Sequence, residues 1–251
     1  MIKCFKGFYL SLGMFTAIPL PSYLWGGAAM SLALVCLPLA GVIIGGIWWG
    51  AACMLLLGAV HTVLAAAVLT LVPFLATGFL HLDGYMDTSD ALLSRRPYEE
   101  KLRILKDPHT GAFAVIMLAC LILLQFGAMY AITEKGELLL LLIIIAAASR
   151  CCGAFSVLSL KTMEGSGYAN AFKENTGFAH KFFIAALTIS AAALSYLWAG
   201  IPGIIVFAAV IAGYFLATAY VYKEFRGVSG DLTGFAIVTS ELCGLIALAV
   251  I

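Results

Sequence analysis

The chain has 251 residues, of which 63% are hydrophobic and 11% charged, and its mean hydropathy is +1.07. That composition lies far outside the range of soluble domains and marks an integral membrane protein. The net charge of +1 says nothing about partners and no nucleic-acid footprint is visible, while the seven cysteines lack metal-type spacing, so they read as reduced packing residues.

Lys3 and Lys6 precede the first apolar run, but no small-residue cleavage site follows, so no removable signal peptide is expected. Residues 5–20 are interrupted by Lys6 and closed by Pro19 and Pro21, which at this length predicts an interfacial or re-entrant helix. Residues 28–57 read as one long transmembrane helix, kinked at Pro38 and packed closely through Gly41, Gly45 and Gly46. Residues 60–80 form the next span, with Pro73 expected to kink it before a polar continuation. Spans follow at 112–132, 138–160, 182–199, 204–222 and 232–251. The expected fold is an all-α polytopic bundle in a single domain, 1–251, with seven transmembrane helices and the N-terminal helix.

Orientation follows from Lys and Arg. The polar stretches 1–6, 81–111, 161–181 and 223–231 share one side and hold twelve of the fourteen basic residues, which assigns them to the cytoplasmic face. They also carry ten of the thirteen acids, so three polar loops are expected to converge on one site there. Two ionisable residues, Arg150 and Glu241, fall inside spans. Facing lipid would cost each roughly 2.5–3.5 kcal/mol, so both should face the bundle interior, as partners of one another or, for Arg150, as a phosphate ligand.

The densest chemistry lies between positions 83 and 107, with six acidic and five basic residues. Asp83, Asp87 and Asp90 are spaced i, i+4, i+7, which on a helix puts three carboxylates on one face. Their repulsion is relieved by a divalent cation, and an all-oxygen set suits a hard ion such as Mg²⁺. Arg95, Arg96, Arg103, Lys106, Lys161 and Lys173 surround the acids in sequence. Carboxylates for metal together with cations for anions are what a diphosphate substrate requires.

The stretch His81-Leu82-Asp83-Gly84-x-x-Asp87-x-x-Asp90, followed by Leu102-x-Ile104-Leu105-Lys106-Asp107-x-x-x-Gly111-Ala112-Phe113, resembles the hallmark of the cobalamin synthase family, the adenosylcobinamide-GDP ribazoletransferases. Phe15-Thr16-x-Ile18-Pro19-Leu20-Pro21, Glu164-Gly165-x-Gly167 and Gly227-x-Ser229-Gly230-Asp231-x-x-Gly234-Phe235 with Glu241 agree in order, so the resemblance covers essentially the whole chain. It departs at Ala91, at Leu105 and at Tyr168-Ala169-Asn170. The resemblance implies that α-ribazole or its 5′-phosphate attacks adenosylcobinamide-GDP and releases GMP, with Mg²⁺ as cofactor. Asp83, Asp87 and Asp90 would then hold the metal, and Asp107 would be a fourth ligand or the base. His81, Arg103, Lys106, His109, Arg150, Lys161, Asn175 and Asp231 would contact substrate. A multi-pass protein of a prokaryotic inner membrane follows, in contact with the lipid bilayer, with homo-oligomer formation left open.

Two other classes fit less well. The CDP-alcohol phosphatidyltransferase pattern is only partly imitated, because Gly84 follows the first Asp of the set and no Ala-Arg comes after it. An ion-coupled transporter would place its acids near mid-bilayer in an inverted repeat, and neither is present in the sequence.

Overall fold

A computed structural model describes residues 2–21, 29–173 and 176–251. Its elements are all helices: α1 (Ile2–Phe15), α2 (Ala29–Val35), α3 (Leu37–Leu57), α4 (Thr62–Ala76), α5 (Leu80–Leu93), α6 (Tyr98–Ile104), α7 (Ala112–Lys135), α8 (Leu141–Ser159), α9 (Gly167–Lys173), α10 (Phe178–Phe225) and α11 (Gly230–Val250).

Among the described residues five helices are long and apolar enough to cross a membrane, or six if α4 and α5 form one bent span. Two things lower the count from the seven expected: α10, whose 48 residues contain two of the expected spans, counts once, and α4, with 15 residues, is too short to count by itself. Gly200, at φ 62° and ψ −138°, breaks it in the Gly-Ile-Pro-Gly turn. A side chain at Gly203 would overlap the Ser195 carbonyl, because the chain doubles back there. At 14 residues α1 is too short to span, and it packs on α2 and α3.

The bundle is built around α8, which is buried almost all round among the other helices. Small residues let its neighbours approach. A Cβ on Gly45 would lie 2.6 Å from the Ile143 Cα, and one on Gly41 2.7 Å from the Ala146 carbonyl oxygen, whereas Gly46 faces open space. Two of the three glycines expected at a helix contact are therefore used. The kink expected at Pro38 is a break at Cys36, with Pro38 in the first turn of α3, where its fixed φ costs nothing.

The expected Pro73 kink is corrected. Pro73 lies inside α4, and the chain turns instead at Gly78 and Phe79, both left-handed (φ 60° and 63°). The bend is 92°, so α5 does not continue α4 outward but lies across the end of the bundle, against α11 and α7. It crosses the start of α11 at Gly84, whose absent side chain would meet the Asp231 Cα at 2.8 Å, and the Tyr85 and Phe235 rings stack beside this crossing at 5.3 Å. Its C-terminal end reaches the start of α7.

The three polar loops meet at this end, as expected. Met163 N donates to the Val228 carbonyl and Val228 N to the Lys161 carbonyl, each at 2.9 Å, which ties the loop after α8 to the loop before α11. Gly227 allows the approach, since a Cβ there would be 2.5 Å from Met163 N. The third loop joins through Lys106, whose Nζ would be 2.8 Å from a side chain at Gly165, a left-handed residue at φ 78°. α6 is held to the end of α10 by the Lys101–Glu224 ion pair and by Arg226 stacked 4.3 Å over the Tyr98 ring.

Candidate functional site

The acidic helix forms as the spacing predicts, with Asp83 exposed and Asp87 and Asp90 half-buried. Asp231, about 140 residues away in sequence, joins them because α11 begins beneath Gly84. Burial first, and then the Asp83, Asp231 and Asp90 carboxylates, push Asp87 up to about 6. A half-buried carboxylate facing three like charges is where a cation gains most. The donor set is all oxygen, which suits Mg²⁺. In this conformation no three His, Cys, Asp or Glu side chains among the described residues are grouped tightly enough to hold a metal ion.

Asp231 has a competing explanation as the cap of α11, and the structure gives that role to Ser229. The Ser229 side chain accepts from Leu232 N at 3.2 Å, and Asp231 lies in the first helical turn. With the cap supplied elsewhere, the carboxylate of Asp231 is left to the acidic cluster.

The remaining expected residues divide. Lys106 and Lys161 stand at the meeting point of the loops, exposed. Asp107 and His109 pair with one another, Oδ1 to Nδ1 at 2.7 Å, and Oδ1 also accepts from His109 N at 2.9 Å. These hydrogen bonds hold Asp107 below the usual carboxylate range, and the structure does not bring it to the other three acids. Arg103 is exposed and within 3.8 Å of Glu100 on its own helix. Lys173 folds back onto the Leu160 carbonyl. Asn175 lies outside the described residues.

Arg150 and Glu241 pair with each other inside the bundle, both buried. Ser149 Oγ accepts from Arg150 Nη1 at 3.0 Å and donates to Glu241 Oε1 at 3.3 Å. Of the two roles expected for Arg150, the geometry carries that of partner to Glu241. Its charge also acts on His81, a buried residue in the first turn of α5 whose Nε2 has no hydrogen-bond partner among the described residues.

Residues 7–249 match the family described as Cobalamin-5-phosphate synthase. The chain belongs to that family. It is 38% identical over 98% of both chains to a protein of Clostridium perfringens named adenosylcobinamide-GDP ribazoletransferase. Proteins of the same name from Clostridium botulinum (36%, 98% of this chain and 97% of the relative) and Geobacillus thermodenitrificans (32%, 96% and 94%) are also similar. No solved structure matches.

Against this family background, some contributors to the site escaped sequence reasoning. Ser229 as cap was hidden because Ser229, Gly230 and Asp231 are all residues found at helix starts. In the sequence Gly84 is a weak helix former and Gly111 a motif letter, yet each is a place where a side chain would collide with a neighbouring helix or carboxylate.

Proposed function

We propose that this membrane protein is an adenosylcobinamide-GDP ribazoletransferase. A ribose hydroxyl of α-ribazole, or of its 5′-phosphate, attacks the phosphorus on the cobinamide side of the diphosphate. The new P–O bond forms as the bond to the GMP oxygen breaks, and adenosylcobalamin or its 5′-phosphate and GMP are released. The observation that carries this reading is the similarity of nearly the entire chain to relatives bearing that name. The acidic cluster, met by cationic loops at one end of the bundle, is the chemistry such a substrate needs.

Asp83, Asp87 and Asp231 would hold Mg²⁺, with Asp107 reaching it only if its loop closes. A carboxylate kept below the usual range suits a ligand better than a base. When bound, Mg²⁺ would neutralise charge on the diphosphate oxygens. Lys106 and Lys161 supply positive charge for phosphate from two different loops, and the crossing of α5 over α11 fixes the backbones that carry the carboxylates, whose side chains would turn inward to share the ion. Purified protein given adenosylcobinamide-GDP, α-ribazole 5′-phosphate and Mg²⁺ is expected to release GMP in step with corrinoid product. GMP release no greater than in heat-inactivated controls overturns the reading.

The proposed location is a prokaryotic inner membrane with the site on the cytoplasmic face, supported by the placement of basic residues. In a background cleared of reactive thiols, Glu99→Cys is expected to resist a membrane-impermeant reagent in intact cells, and Glu137→Cys to react. The reverse pattern places the site outside.

A further inference from the structure

We propose that Asp90 is the N-cap of α7, supplied in trans from α5, and that it positions the charged segment 105–111 rather than binding metal. This rests on the transferase reading of the acidic cluster and redistributes roles within it. α7 is a 24-residue helix that starts with an uncapped glycine: Gly111, at φ −84° and ψ 170°, occupies the cap position and has no side chain to offer. The first turn of α7 contains no acidic residue. The Asp90 carboxylate fills the place where a side chain at position 111 would stand, for a Cβ built on Gly111 falls against both of its oxygens. Asp90 Oδ1 accepts from Ala114 N at 3.4 Å. Ala114 is the third helical residue, and its amide is one that a Ser or Asp cap ordinarily satisfies. A carboxylate at this end also meets the positive pole of the helix, where negative charge is favoured.

The spacing that places Asp90 on the same face as Asp83 also separates them by about 10 Å along the helix axis, seven residues at 1.5 Å each. One small ion held at about 2.1 Å from its ligands is served more readily by Asp83, Asp87 and the adjoining Asp231. With Gly111 anchored to α5 and Leu105 buried at the other end, Lys106, Asp107 and His109 are held in a short loop of fixed ends beside the site. Asp90 is thus a positioning residue for the loop that carries Lys106.

Two measurements on the full-length, detergent-solubilised chain test this. Limited trypsin digestion reads the order of the segment that contains Arg95, Arg96, Lys101, Arg103 and Lys106. Asp90→Ala is expected to be cut there about fivefold faster, the change that loss of a typical cap implies. Asp90→Asn keeps the cap acceptor and should be cut at nearly the wild-type rate, and the double variant Asp90→Ala/Gly111→Ser, which moves the cap to position 111, should recover that rate. In the transfer assay Asp90→Asn is expected to keep the wild-type Mg²⁺ half-saturation, whereas Asp87→Asn raises it. An Mg²⁺ requirement raised as much by Asp90→Asn as by Asp87→Asn overturns the proposal. So does unchanged cleavage of Asp90→Ala, or a double variant that stays as sensitive as the single one. If Asp90→Ala does not reach the membrane, the Asn and double variants decide. The digestion needs no turnover, so it remains decisive even if the wild-type chain fails to transfer.

Discussion

Asp87→Asn is expected to lower transfer on the order of a hundredfold or more at limiting Mg²⁺ while leaving the protein folded and inserted, since a carboxylate that touches the metal matters at least as much as the groups that merely orient metal ligands, whose loss costs about 10–100-fold. Asp87 is half-buried and faces Asp83, Asp231 and Asp90. Asn removes a charge that those neighbours disfavour, so the variant should melt no lower than wild type above pH 6. Linkage gives the sign. A carboxyl raised to about 6 in the folded state contributes stability that is lost as pH rises through that range, and the substitution removes this loss. Catalysis depends on pH in the opposite direction. Below about 6 a proton takes the position the metal needs, so wild-type transfer falls there, and higher Mg²⁺ should move the acid limb to lower pH. Near-wild-type turnover of Asp87→Asn at limiting Mg²⁺, or an acid limb indifferent to Mg²⁺, removes Asp87 from the metal site.

The membrane character, most spans, the face shared by the acids and the meeting of the three polar loops were legible in the sequence, because each rests on a local pattern: hydropathy, helical periodicity or the side on which charges fall. The bend before α5 was not. Pro73 is the louder local signal, yet α4 carries it to Ala76, while the turn is made by Phe79 at φ 63°, a conformation that a bulky side chain adopts only when its surroundings impose it. The same limit applies to Asp90. Its spacing fits a third metal ligand, and only the position of Gly111, 21 residues further along, shows the carboxylate serving another helix. The two readings of Arg150 likewise needed the third dimension, for Arg150 and Glu241 are 91 residues apart and neither sequence neighbourhood names the other.

Glu241→Ala is expected to have the largest effect on stability of any single substitution considered. It leaves the Arg150 guanidinium buried without its carboxylate, a loss of about 3–5 kcal/mol for a broken buried pair. Among the described residues the bundle around it offers only Ser149 and the Ala146 carbonyl in exchange. Little folded protein should reach the membrane, and what does should melt well below wild type. Arg150→Met should do the same by stranding the acid. The double variant Arg150→Met/Glu241→Leu removes both charges and fills similar volume, a change that for buried pairs is often neutral, so folded protein should return. Its activity then separates the two roles of Arg150. Because Nη1 is committed to Glu241, Ser149 and Ala146, and the side chain is 1% exposed, transfer is expected to return with the fold. A double variant that inserts and melts like wild type but releases no GMP would show instead that this guanidinium contacts phosphate, through a rearrangement that frees it from the bundle interior.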